Sequence, residues 1–165
     1  GRFSNSGTTS AALRVAADMD PNNEFIPEML RASRRRIPLE RLEIWQKIFR
    51  EVIFDKESGL MALVASKKDM ECWGASRRDI VTAFGILQDV EEVRVAAVIV
   101  ENEDGSWGVS LRSGPVFHAK VQKIAEELGG GGHAYAAGFT WMGDTKILLA
   151  SLKNSILAYC VWPSL

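Results

Sequence analysis

The segment Gly129-Gly130-Gly131-Gly132-His133, with Ala136-Ala137-Gly138 close behind it, follows directly on a helical pattern. One glycine is enough to end a helix. Four in a row remove every Cβ from a loop, so its backbone N–H groups can close on a ligand, typically an anion. His133 adds a donor of the residue type that changes charge nearest neutral pH. The same glycines also read as a helix cap running on into a flexible linker, and taken alone they do not separate the two readings. Their neighbours favour a ligand. Arg112-Ser113-Gly114 closes a strand pattern, and an arginine at a strand end can meet a phosphate with two parallel hydrogen bonds. Ala134, Ala136, Ala137 and Gly138 keep the chain thin after His133, as close packing under a site requires.

Outward from this segment, a helix with Val121, Ile124, Ala125 and Leu128 facing inward is expected over 118–128. Before it, 93–100 is rich in Val and Ile and reads as a buried strand. Asn102-Glu103-Asp104-Gly105 is a hairpin turn, and Trp107, Val109 and Leu111 alternate on the returning strand. Ser76 with Asp79 has capping-box spacing for a helix to about residue 87, and 60–65 is a short apolar strand. After the glycines, a strand is expected over 139–142 and a helix over 146–159. The order strand, helix, hairpin, helix, glycine segment, strand, helix defines an α/β fold, a mixed sheet flanked by helices.

The first third is helical in pattern. Thr8, Thr9 or Ser10 can cap a helix over 11–19, Asp20-Pro21-Asn22-Asn23 is a turn with Asn23 as the next cap, and a short helix is expected over 25–32. Arg34-Arg35-Arg36 suits the C-terminal end of that helix, or a basic lip near a nucleotide. Pro38 restarts a helix whose Leu39, Leu42, Trp45, Ile48, Phe49 and Val52 form one apolar stripe, read as core rather than a stacking platform. The polar turn Asp55-Lys56-Glu57-Ser58-Gly59 is the expected boundary, giving units 1–54 and 55–165.

Composition narrows the function classes. A chain of 165 residues with 47% hydrophobic content can bury a sizeable core. A formal net charge of −1 gives no global pull toward nucleic acid or membrane, so an anionic ligand needs a local site. Cys72 and Cys160 lack metal-ligand spacing and suit a reducing, cytoplasmic setting. No apolar run has spanning length, so no membrane contact is expected. The start at Gly1 and not at Met suggests a fragment. Asp18 and Asp20 read as helix-end charges, His118 as a cap or solvated side chain, and Met61, Met70 and Met142 as packing residues.

Leu111-Arg112-Ser113, the helix end Ile124-Ala125-Glu126-Glu127-Leu128 and the run GGGGHAYAAG over 129–138 resemble the DHH-associated domain, the C-terminal half of DHH-family phosphoesterases. The opening, Gly1-Arg2-Phe3-Ser4-Asn5 with Thr8-Thr9 and Ala11-Ala12-Leu13-Arg14, is similar to the end of the catalytic DHH domain. The similar branch contains bacterial oligoribonucleases that also act as 3′-phosphoadenosine-5′-phosphate phosphatases, and relatives that cleave cyclic dinucleotides. The resemblance implies that 1–54 is the tail of an α/β catalytic domain with a linker helix, and that 55–165 binds substrate. It implies Arg112, Gly130, Gly131, Gly132 and His133 as substrate-binding residues, with Ser113 beside them and Tyr135 as a minor contact. It implies short RNA or a nucleotide phosphate as partner, a catalytic domain carrying manganese, and homodimerisation through that domain. The aspartates and DHH triplet that hold the manganese have no counterpart in this chain, and no catalytic or metal-binding residue is assigned here. The chain alone is therefore expected to bind and not to cleave. A stand-alone nucleic-acid or nucleotide-binding module is the other reading.

Overall fold

The computed structural model describes residues 9–22, 24–28, 37–114, 116 and 119–159. The expectations for Arg2, Phe3, Asn23, Arg34–Arg36, His118, Cys160 and most of the 25–32 helix lie outside the described residues. The chain forms two compact units, Gly1–Pro38 and Leu39–Leu165.

In the first unit, α1 (Ser10–Met19) is capped by Thr9, whose hydroxyl accepts from the Ala12 N–H at 3.1 Å. Asp20 organises the next turn. Its carboxylate accepts from the N–H groups of Glu24, Phe25 and Ile26, and these bonds hold its pKa below the usual carboxylate value.

The second unit is a six-stranded mixed sheet: β1 (Ile53–Asp55), β2 (Leu60–Ala65), β3 (Val95–Glu101), β4 (Trp107–Ser113), β5 (Gly131–His133) and β6 (Ala136–Trp141). The strand order is β1-β2-β3-β4-β6-β5. Only β2 and β3 run parallel, so they need a crossover, and two helices supply it. These are α3 (Lys67–Trp73) and α4 (Arg77–Leu87). Both open on capping boxes, Ser66 with Asp69 and Ser76 with Asp79. The first box carries the same signal as the second, yet α3 is absent from the sequence reading. A further helix, α2 (Leu39–Arg50), precedes the sheet; α5 (Val121–Glu127) follows β4, and α6 (Thr145–Tyr159) ends the described chain.

The boundary expected at Asp55–Gly59 falls instead between Pro38 and Leu39. The Asp55–Gly59 turn forms, but it joins a hairpin in which Ile53 pairs with Ala62 and Asp55 with Leu60. The α2 stripe is core only in its second half. Trp45 and Ile48 are buried, while Leu39 and Leu42 are exposed. Trp45 and Ile48 pack with Ile80, Phe84 and Val98, so α2 belongs with the sheet that covers its apolar side.

Strand alternation divides the core into two layers. On one face, Leu60, Ala62, Val95, Ile99, Val109, Leu111, Ala137 and Phe139 pack under α5 and α6 through Ile124, Leu148, Leu152 and Ile156. This layer draws on four strands, β2, β3, β4 and β6. On the other face, α2, α3 and α4 cover Leu63, Ala65, Ala96, Val98 and Val100. That second layer contains no residue of β4, β5 or β6. Among the described residues, half of one sheet face is thus left without an apolar cover. Met61 and Met70 pack against the second layer as expected, whereas Met142 is exposed.

Candidate anion-binding site on the open sheet face

The glycine run is not one loop. Its first half ends α5. Gly129, at φ 83°, donates its N–H to the Glu126 carbonyl at 3.2 Å, and Gly130 donates to the Ala125 carbonyl at 2.7 Å. This paired return of two N–H groups is a Schellman cap. Both donors are consumed by the helix, which corrects the expectation that the whole run offers N–H groups to a ligand. Gly130 is also a packing position, because a Cβ there would lie 2.2 Å from the Gly138 carbonyl oxygen. The second half begins the edge strand β5, where Gly131 pairs with Gly138, Gly132 with Ala137 and His133 with Ala136. The small residues Ala136-Ala137-Gly138 belong to β6, so that strand begins at Ala136 and not at the expected 139.

Register then assembles the site. Arg112 on β4 pairs with Ala136 on β6, which pairs with His133 on β5. Residues directly opposite in an antiparallel ladder project to the same face. Arg112 and His133 therefore stand on one side of the sheet, two strand spacings or about 10 Å apart, with only the Ala136 methyl between them. The adjacent row is Ser110, Gly138 and Gly131. Gly138 and Gly131 leave bare backbone there, and a Cβ at Gly131 would meet nothing within 4 Å. All of these residues lie on the half-face that the helices leave open, and Ser110 and His133 are exposed.

Among the described residues the Arg112 charge is not neutralised. The Arg112 guanidinium donates through Nη1 to the Leu111 carbonyl at 2.8 Å. That uses one of its five N–H donors. Among the described residues no carboxylate lies within ion-pair distance of Arg112 or His133. An arginine fork, an imidazole and a floor of exposed backbone suit a phosphate oxygen set.

Ser113 does not join them. It pairs with Val95, which lies in the layer under α5 and α6, so its side chain belongs to the opposite face. Its hydroxyl donates to the Gly114 carbonyl at 3.1 Å, and its N–H donates to the Tyr135 carbonyl at 3.1 Å. Ser113 thereby anchors the turn between β5 and β6, on which Tyr135 is half exposed. Ser110 was missed by the sequence reading. Its signal was the alternation Gly108, Ser110, Arg112 opposite Val109 and Leu111.

A concavity at the β1 end of the same face is lined by Phe54, Lys56, Gly59, Met61, Val90, Val116 and the carboxylates Glu91 and Glu92. Its two carboxylates outnumber its one lysine, which disfavours a phosphate, so the row of Arg112 and His133 and not this hollow defines the candidate site. Among the described residues no three His, Cys, Asp or Glu side chains cluster in a way that could hold a metal ion. No described helix is long and apolar enough to cross a membrane.

The fold is an α/β domain with a mixed sheet, one half-face of which carries Arg112 and His133 over small residues. Residues 60–156 match the DHHA1 domain, and the chain belongs to that family. Over 158 residues it is 26% identical to the probable bifunctional oligoribonuclease and PAP phosphatase NrnA of Streptococcus mutans, covering 93% of this chain and 49% of that protein. An exopolyphosphatase-related protein from Bacteroides fragilis superposes with a TM-score of 0.76 at 16% identity, over 95% of this chain and 46% of its own. The pGpG-specific phosphodiesterase PggH from Vibrio cholerae superposes with a TM-score of 0.54 at 16% identity, over 92% of this chain and 52% of its own. The chain thus spans about half the length of these relatives.

Proposed function

We propose that this chain is the substrate-binding half of a DHH-type phosphoesterase acting on short oligoribonucleotides, 3′-phosphoadenosine-5′-phosphate or cyclic dinucleotides. Arg112 and His133 hold a substrate phosphate between them, above the floor formed by Gly131, Ala136 and Gly138. The observation that carries this reading is the row Arg112–Ala136–His133 on the uncovered half of the sheet, with no carboxylate paired to either cation-forming group among the described residues. The family match and the similarity to an oligoribonuclease support the substrate class.

The hydrolytic step belongs to a catalytic domain outside these 165 residues, and manganese would be held there. What this chain's residues contribute is positioning. They fix one phosphate and so bring the scissile bond to that domain in a defined orientation. The chain by itself binds and does not turn over.

The test is a titration of the purified chain with 5′-phosphorylated diadenylate and with 3′-phosphoadenosine-5′-phosphate, beside Arg112→Ala. Saturable binding lost in Arg112→Ala, with unchanged melting, is the expected result. Equal binding by both proteins would overturn the assignment.

A further inference from the structure

We propose that Arg77, lying over Gly108, is a second phosphate position through which this sheet face senses oligonucleotide length. The inference rests on the reading of Arg112 and His133 as the first phosphate position.

The open half-face does not end at Arg112. Ser110 and Gly108 continue it along β4, and Thr140 of β6 stands opposite Gly108. The Arg77 guanidinium lies directly over that end. A Cβ built on Gly108 would come within 2.9 Å of Arg77 Nη2. The glycine therefore admits the guanidinium against bare strand backbone. Arg77 is the first residue of α4, so the capped start of that helix fixes where its side chain begins.

Arg77 is held without being neutralised. Its Nη1 donates to the Asn102 Oδ1 at 3.2 Å, and Asn102 is in turn fixed by donating through Nδ2 to the Ser106 hydroxyl at 2.9 Å. Among the described residues no carboxylate is within ion-pair distance of Arg77. The acids around it are otherwise engaged: Asp79 with Ser76 and Arg41, Glu103 with Lys67, Glu101 with the Lys67 N–H, and Asp104 with Ser106. A positioned, uncompensated arginine on an open polar face is suited to an anion.

The spacing identifies the ligand. From Gly108 to Arg112 is four residues of extended strand, roughly 14 Å at about 3.4 Å per residue. Successive phosphorus atoms in a nucleic-acid strand are joined by six bonds, which span about 7 Å at full stretch with ordinary bond lengths. One link is too short and two links fit. Among the described residues, the strand positions between the two are Ser110, Gly138 and Thr140, which present hydroxyls and backbone over which a sugar–phosphate strand can run. A chain of three or more nucleotides reaches both arginines. A nucleoside bisphosphate or a dinucleotide reaches one.

The experiment measures dissociation constants of the 165-residue chain for 5′-phosphorylated diadenylate and pentaadenylate, in wild type, Arg77→Ala, Gly108→Ala and Arg112→Ala. Arg77→Ala should weaken pentaadenylate about tenfold, leave diadenylate within twofold, and reduce the salt slope for pentaadenylate by about 0.7. Gly108→Ala, whose Cβ displaces the Arg77 guanidinium, should act in the same direction and less strongly. Arg112→Ala should weaken both ligands. If Arg112→Ala weakens both while Arg77→Ala weakens neither, or both equally, the length inference is overturned and the first phosphate position stands. If Arg112→Ala changes neither, both readings fall.

Discussion

Arg112 and His133 lie 21 residues apart in sequence yet occupy one cross-strand row, separated only by Ala136. The row exists because β6 inserts between β4 and the edge strand β5. Neither residue is neutralised by a carboxylate among the described residues, which leaves both open to an anionic ligand.

His133→Ala should therefore change binding and not folding. The imidazole is exposed and supports no core contact, so the melting temperature should move by no more than about 2 °C. Affinity for 3′-phosphoadenosine-5′-phosphate should fall between threefold and tenfold, the loss of one hydrogen bond to a charged acceptor. Isothermal titration beside thermal melting checks both. A large drop in melting temperature with affinity retained by the folded fraction would make His133 a cap for the turn.

The glycines should separate into two classes on substitution to alanine. At Gly130 the new Cβ meets the Gly138 carbonyl and the Phe139 side chain at 2.2 and 2.4 Å. Backbone must move, at a cost of about 2 to 3 kcal/mol. At Gly131 the Cβ meets open space, and stability should change by less than about 1 kcal/mol. Gly131→Ala should nonetheless weaken phosphate binding, because its methyl rises from the floor in the row beside His133. Urea unfolding and ligand titration on the two variants give the contrast.

Asp79→Ala should destabilise the second unit by about 2 to 3 kcal/mol. The carboxylate closes the capping box of α4 and also pairs with Arg41 of α2 at 3.0 Å, so its loss opens a helix end and leaves a cation without its partner. The Ser76 hydroxyl is the main influence holding its pKa below the usual value, with Arg41 adding to it. Urea denaturation at neutral pH measures the loss, and the folded protein's affinity for diadenylate, which reaches only Arg112 and His133, should not change.

Acid should remove one identifiable contribution. Lys153, at 2.7 Å, and the N–H and hydroxyl of Ser58 lower the Asp55 pKa from 3.8 to about 2. A lowered folded-state value means that the stabilisation is present above about 3.8 and is lost as pH falls toward 2. The contribution is on the order of 1 kcal/mol after solvent screening. The stability difference between wild type and Asp55→Asn should be flat above about pH 5 and should vanish near pH 2. A difference that grew on acidification would contradict the pairing.

The sequence by itself determined the elements that rest on local chemistry. The Ser76–Asp79 box, the Asn102–Gly105 turn, the Val- and Ile-rich β3 and the Schellman glycines act over a few residues, and short-range rules read them. Arg112 and His133 stand out locally too, as an arginine closing a strand pattern and a histidine after the glycines. Tertiary structure alone decided which face those residues share, because cross-strand register is set by pairing between distant segments and one residue of slip reverses every side chain. That is why Ser113, adjacent to Arg112 in sequence, points away from it, while Ser110 and Arg77 come to the same face. It is also why the division falls at Pro38 and not at the polar turn: Trp45 and Ile48 find their apolar partners on a sheet whose strands come later in the chain.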